Sequence, residues 1–376
     1  MTATDNTGGT DLEKKIFVIN PGSTSTKVAL FLDDKNVWEK KIFHEAEDLA
    51  AFESVNDQLE YRYGLILRTL EEEGIDLSGT DAIACRGGSC LTVESGVYRV
   101  SRKMIEDTRN AAGGPEHASM LGVQLGELFQ RSIGGELFTQ DPIVVDEYSD
   151  LARMTGIKGM YRSVSSHALN QKAVAKRYAA AEGKRYDEID LIVAHIDGGI
   201  TVAAHHRGRM VDCNSGAGGD GPYTPSRIGS IGVSDLISAF GSEDLETLGH
   251  MCNTGGGLTS LVGTNDADLV LEKIENGDEN AERAWEGMIY QICKQIGAMA
   301  AVLEGKAEAI LLTGGLVRYR SIVEGIERRC GWIAPVRAYP GELEMEALAE
   351  GALSALRGII VPKEYTGEPV FFGFSD

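Results

Sequence analysis

Two stretches of the chain repeat one pattern of apolar and polar positions. Residues 15–27 (Lys-Ile-Phe-Val-Ile-Asn-Pro-Gly-Ser-Thr-Ser-Thr-Lys) and 191–203 (Leu-Ile-Val-Ala-His-Ile-Asp-Gly-Gly-Ile-Thr-Val-Ala) each open on a short apolar run. Each then breaks into a loop of Gly, Ser, Thr or Asp and resumes an alternating run. The pattern predicts strand, tight loop, strand. A turn follows in both copies, at 33–36 and at 206–208, with a third strand over 37–43 and over 209–212. The apolar runs start 175 residues apart, at Ile16 and Leu191, so the pattern predicts a duplicated domain whose halves each open with a β-meander.

Between the copies the period changes. Leu49, Phe52, Val55, Leu59, Tyr63, Ile66 and Leu70 recur at three-to-four spacing and predict one long amphipathic helix over 46–74, ended by Gly74. A strand is expected over 81–85, helices over 101–110 and 118–130, and a short apolar strand over 142–145 that delivers Asp146 and Glu147 at its carboxyl end. Ligands bind at such ends in open α/β sheets. Past a helix over 167–181, residues 212–230 are rich in Gly and Pro without regular periodicity, and a stretch this long inside a domain is usually functional. Ala281, Trp285, Met288, Ile292, Ile296, Met299 and Leu303 mark the buried face of a long helix. A strand over 309–313 ends in Thr313-Gly314-Gly315, and a last helix spans 344–357.

Composition narrows the classes. At 376 residues two domains are the default, expected over 15–166 and 167–357 after a loose tail over 1–14, with the helix at 343–357 free to pack back on the first domain. A formal charge of −21 argues against a nucleic acid or an anionic membrane as partner, and no apolar run predicts a membrane span or a secretory segment. Six scattered cysteines without CxxC pairs fit reduced thiols in a cytoplasmic protein.

The first loop has the chemistry of a phosphate seat. Gly22 allows close backbone approach, Asn20, Ser23, Thr24 and Ser25 offer neutral polar groups, and Lys27 supplies a positive charge. It is not a Walker A loop, since that spacing is absent and a strand follows. Taken singly, such a loop is more often an ordinary polar turn. Its repetition in two halves favours a ligand. The three acids Glu342, Glu344 and Glu346 near the start of the last helix are explained equally well by complementation of the helix dipole.

With these pieces assembled, the chain resembles the butyrate kinases, within the acetate and butyrate kinase family of the actin, hexokinase and Hsp70 superfamily. The similarity runs over about 16–357 and is carried by Val18-Ile-Asn-Pro-Gly-Ser-Thr-Ser-Thr-Lys27, Glu116-His-Ala-Ser119, Val144-Val-Asp-Glu147, His167-Ala-Leu-Asn-Gln-Lys-Ala173, Gly263-Thr-Asn-Asp266, Leu312-Thr-Gly-Gly315, Tyr339-Pro-Gly-Glu342 and Glu344-Met-Glu-Ala-Leu-Ala-Glu-Gly-Ala352. The resemblance implies an α/β fold of duplicated actin-like (ribonuclease H-like) domains with mixed β-sheets flanked by helices. It implies reversible phosphoryl transfer between ATP and a short-chain carboxylate, straight or branched, with ADP, an acyl phosphate and Mg2+, in a homodimer or larger assembly.

By the same resemblance, Asn20, Ser23, Ser25 and Lys27 hold phosphate, and Asn20 with Glu344 supports the metal. His195, Asp197, Gly198 and Gly199 form the second phosphate loop, and Thr313, Gly314 and Gly315 lie along the adenosine. His117 and His167 face the transferring group, Arg227 stabilises it, Asp146 lies near the acyl phosphate and orients a partner or the carboxylate site, and Arg86 is a candidate for the substrate carboxylate. Three departures stand out. Asp197 replaces a glycine of the family's usual His-Leu-Gly-Gly-Gly, Ser166 replaces a Phe before His167, and Ser89 and Cys90 replace apolar residues after Arg86-Gly-Gly. They suggest an altered acyl substrate or altered nucleotide handling. A catalytically weakened paralogue that binds nucleotide or acyl phosphate in a regulatory role is the alternative. Asp197 could repel phosphate or hold the metal through water, and because Glu344 matches the metal-supporting acid, repulsion is the reading adopted.

Overall fold

The two meanders form where the pattern puts them. The computed structural model describes residues 12–114, 116–216, 219–241 and 244–374, so the expected tail lies, up to residue 11, outside the described residues. Contacts gather the chain into two units. One holds the chain up to Cys90, Gly96–Gln140 and Met345–Thr366; the other holds Leu91–Ser95, Asp141–Glu344 and the chain from Gly367 on.

In the first unit, β1 (Lys15–Pro21), β2 (Ser25–Leu32), β3 (Lys35–Phe43), β4 (Ala82–Cys85), β5 (Val97–Arg99), β6 (Glu136–Gln140) and the short β12 (Lys363–Glu364) make one mixed sheet. Its order is β12-β5-β6-β4-β1-β2-β3. The second unit has β7 (Asp190–Ile196), β8 (Ile200–His206), β9 (Arg209–Cys213), β10 (Ala309–Gly314) and β11 (Val336–Pro340), in the order β11-β10-β7-β8-β9. Both sheets share a plan. The first strand pairs antiparallel with the second and parallel with the fourth, and the second strand carries a register shift against the third, at Leu30/Phe31 and at Ala204/His205. The duplication is therefore present in topology as well as in sequence.

Buried strands explain the near-continuous apolar runs, since both faces are covered. Phe17, Ile19, Val28 and Ile83 join Ile66, Leu121, Leu125 and Phe129 in one core of the first unit. In the second unit, the helix Glu279–Val302 lays Trp285, Met288, Ile292 and Ile296 on one face of the sheet, and Ala168–Ala181 lays Val174 and Ala175 on the other.

Two expected elements differ. The helix predicted over 46–74 is broken into Ala46–Ala50 and Leu59–Glu72, joined through a short turn of helix at Asn56–Gln58. Ser54 explains the break: its backbone N–H and hydroxyl both donate to Asp57 Oδ2, at 2.9 and 2.8 Å, a local bonding that competes with helix. The strand predicted over 142–145 is a turn with a single bridge, Val93 to Val145, and the strand lies earlier, at Glu136–Gln140. Asp141, at φ 39°, breaks the strand, and Pro142 has no N–H to donate to a ladder.

Candidate active site

The second unit concentrates most of the candidates around the loop after β7. His167 caps the helix Ala168–Ala181, and its ring stacks on that of His195, at the end of β7, with centroids 3.9 Å apart and planes 11° apart. Gly199 follows in the loop, and a Cβ built there would come within 2.8 Å of Arg227 Nη1 and 3.0 Å of His167 Cε1. A side chain at 199 would crowd both the guanidinium and the imidazole. Arg227 donates through Nη1 to the Gly216 carbonyl, and burial lowers its pKa from the ordinary arginine value. It remains a cation at neutral pH, since no protein environment deprotonates a guanidinium there. In a chain of charge −21, this half-buried cation lies near the His167 imidazole, on which His195 stacks.

The loop after β10 lies against the loop after β7. Gly314 has φ +103°, and a Cβ there would meet the Ile196 carbonyl oxygen at 2.4 Å. Thr313 is fully buried and donates to the Gly341 carbonyl at 2.9 Å. Asp197 occupies the backbone donors of this junction. Its Oδ1 accepts from the Gly198 N–H at 2.8 Å, and its Oδ2 accepts from the Gly315 N–H at 2.6 Å. Such N–H groups are what an anion seeks at a glycine loop. The carboxylate stands where a phosphate oxygen would compete for the same donors.

Asp146 is buried in a two-pronged ion pair with Arg153, both contacts at 2.8 Å, and Arg153 lies 4.2 Å over the Phe371 ring. Neighbouring Glu147 pairs with buried Lys172 at 2.8 Å. Arg153 and Lys172 are partners that sequence reasoning did not identify. Lys172 stood in a recognised motif without an assigned role; no motif marks Arg153.

In the first unit, the loop after β1 is held from below. Arg62, 1% exposed, donates to the Gly22 carbonyl at 2.9 Å, the Thr26 hydroxyl at 3.1 Å and the Ser23 carbonyl at 3.3 Å. Burial lowers its pKa to about 10. Thr26 also contacts His44 at 2.9 Å, and burial first, then Arg62, lowers the His44 pKa to about 4. Asn20 Oδ1 accepts from Arg86 at 3.3 Å, bringing two of the expected residues together, and Asn20 lies across the strand pair from Lys27. Ser25 is buried and Ser23 exposed. His117 Nδ1 contacts the Ser119 hydroxyl at 2.9 Å and accepts from the Ser119 N–H at 3.2 Å.

Of the two residues expected to support Mg2+, Asn20 accepts from Arg86 through Oδ1, and Glu344 is 2% exposed in the first turn of the helix Glu344–Leu356. Among the described residues, the possible ligands that do converge are His195, Asp197 and Glu342, with one ligand atom from each within 4.8 Å of the others. His195 Nδ1 accepts from Asn170 at 2.8 Å, which puts the proton of a neutral ring on Nε2, 3.9 Å from the Glu342 carboxylate. A protonated Nε2 cannot ligate.

The sequence model of the acetokinase family matches residues 150–325, the span that contains His167, His195, Asp197, Arg227 and Thr313-Gly314-Gly315. Acetate kinase of Porphyromonas gingivalis superposes with a TM-score of 0.74 at 18% identity, over 91% of this chain and 100% of that one. A propionate kinase of Francisella tularensis gives 0.71 at 18% identity, over 90% and 98%, and acetate kinase of Entamoeba histolytica gives 0.71 at 15%, over 90% and 98%. Among the described residues no helix is long and apolar enough to cross a membrane. Residues 150–325 thus carry the acetokinase family's sequence pattern, on the fold of the acetate and propionate kinases.

Proposed function

We propose that this chain is an ATP-dependent carboxylate kinase that transfers a phosphoryl group reversibly between ATP and a short-chain, butyrate-like acid. The observation that carries the reading is the placement of Arg227 and His167 against Gly199, with His195 stacked on His167, inside the span that matches the acetokinase family. Phosphoryl transfer asks the protein for alignment and charge neutralisation rather than covalent work. Arg227 supplies a desolvated cation for the charge that spreads over the transferring oxygens, and the imidazoles supply N–H donors. Asn20, Lys27 and the loop between them offer a second polar seat, while Thr313-Gly314-Gly315 gives a side-chain-poor surface on which a nucleoside can lie. Bound with the nucleotide, Mg2+ would neutralise charge on the phosphates, and Asn20 and Glu344 are the residues that would support it. ATP formation from ADP should be measured with acyl phosphates of two to six carbons, straight and branched. The reading predicts highest kcat/KM at about four carbons, and a preference for the two-carbon compound overturns the butyrate assignment.

A second reading rests on Asp197. Its carboxylate takes the Gly198 and Gly315 N–H groups, so the chain could bind nucleotide weakly and serve a regulatory role. At about 4 Å, repulsion between unit charges is ~1 kcal/mol in water and ~4 at an effective dielectric of 20. Asp197→Gly is therefore expected to lower the KM for ATP by about fivefold or more and to raise kcat/KM. Poorer turnover with a raised Mg2+ requirement would show instead that Asp197 serves the metal.

A further inference from the structure

Asn170 and Gln171 are consecutive on the helix Ala168–Ala181 and fully buried, and each controls one ring of the stacked histidine pair. From this geometry we propose that the two amides fix both His195 and His167 in a single tautomer, Nδ1 as acceptor and Nε2 as N–H donor. Asn170, Gln171 and Thr201 are then positioning residues of the site.

Groups that can act in only one direction set each amide. The Leu343 N–H can only donate, so the Asn170 atom 2.8 Å from it is Oδ1. Asn170 Nδ2 then faces the Thr313 hydroxyl at 3.1 Å and His195 Nδ1 at 2.8 Å. Thr313 spends its proton on the Gly341 carbonyl, so it accepts from Asn170. A donor aimed at His195 Nδ1 requires a lone pair there, and the proton of the neutral ring sits on Nε2.

Gln171 is set by the Thr201 carbonyl, which can only accept. Gln171 Nε2 therefore lies toward Thr201, 3.1 Å from its carbonyl and 2.7 Å from its hydroxyl. Gln171 Oε1 points the other way, 3.0 Å from His205 Nε2, and His205 Nδ1 is 2.6 Å from the Tyr186 hydroxyl. Burial, then Lys172, holds the His205 pKa well below the ordinary value, and burial, then Glu147, pushes that of Tyr186 well up. So Tyr186 keeps its proton and donates to neutral His205, which donates to Gln171. Thr201 is fully buried and accepts from Gln171. Among the described residues, the acceptor left for its own proton is His167 Nδ1, 2.9 Å away. A buried hydroxyl left without an acceptor is unfavourable.

Both rings therefore present Nε2–H rather than a lone pair. Arg227 faces His167, while Asp197 and Glu342 face His195. The pair is built to donate to the oxygens of an anion, neither to ligate a metal through Nε2 nor to take a proton there. That the anion is the transferring phosphoryl group rests on the kinase reading.

The test is nitrogen NMR of the whole protein carrying ring-labelled histidine, with His167→Gln and His195→Gln used only to assign signals. Nε2–H on both rings is expected without any substrate. Thr201→Val should release the His167 tautomer toward a mixture and leave His195 unchanged, and Thr201→Ser, which keeps the hydroxyl, should restore it. In turnover, Thr201→Val should lower kcat about 10- to 100-fold with KM little changed, and Thr201→Ser should recover most of it. Nδ1–H on either ring of the wild-type protein overturns the proposal, as does a Zn2+ titration that moves the His195 Nε2 signal. Nε2–H rings in a protein that turns over no acyl phosphate would leave the tautomer assignment standing and sink the kinase reading alone.

Discussion

Arg227→Ala should lower kcat about 10³-fold while nucleotide affinity stays within a few-fold. An arginine that contacts only the transferring group acts where charge develops, and such a residue is worth about 10³-fold or more. The physical basis is its setting: a guanidinium partly desolvated by burial, held by the Gly216 carbonyl, and close to His167 across a residue 199 that has no side chain. Arg227→Lys keeps the charge and loses the planar fork, so it should recover little of the loss. Steady-state kinetics beside calorimetric ATP binding checks this. A variant with near-wild-type kcat removes Arg227 from the transfer step.

Arg153→Ala should destabilise the protein by about 3–5 kcal/mol. Both partners of the Arg153–Asp146 pair are nearly inaccessible, and removing one leaves a buried charge without its counterion. The matched double variant Arg153→Met with Asp146→Leu should lie much closer to wild type in stability, because no buried charge remains. Urea unfolding of the three proteins is the measurement, read alongside turnover. A single variant of wild-type stability would mean that the pair is not closed in solution. A double variant that folds but lacks turnover would separate the electrostatic work of Asp146 from its place in the fold.

Legibility varied with the range of the physics involved. The meanders were readable because strand, loop and strand repeat at a fixed offset and buried strands need apolar residues on both faces, as consecutive Phe17 and Val18, and Ile192 and Val193, show. The split of the helix predicted over 46–74 was missed because apolar spacing continued through Phe52 and Val55 while Ser54 and Asp57 quietly closed a local turn. Apolarity alone predicts a strand at 142–145, although Pro142 argues against a ladder there. Arg62 carried a usable signal: it lies three residues after Leu59 and four before Ile66, a lone cation on a helix's apolar face, where it must have buried partners. Arg153 carried none, because its partner Asp146 is met through a turn rather than a period. Asp197 was legible as a departure, but its two backbone donors come from Gly198 and from Gly315, which is 118 residues away.

Formation of ATP from ADP and butyryl phosphate, followed in a coupled assay beside calorimetric ATP binding to the same protein, tests the central claim most directly. The carboxylate-kinase account predicts Mg2+-dependent ATP synthesis that is lost in Arg227→Ala while nucleotide binding persists. Saturable nucleotide binding by the wild-type protein with no turnover on any acyl phosphate of two to six carbons would contradict it.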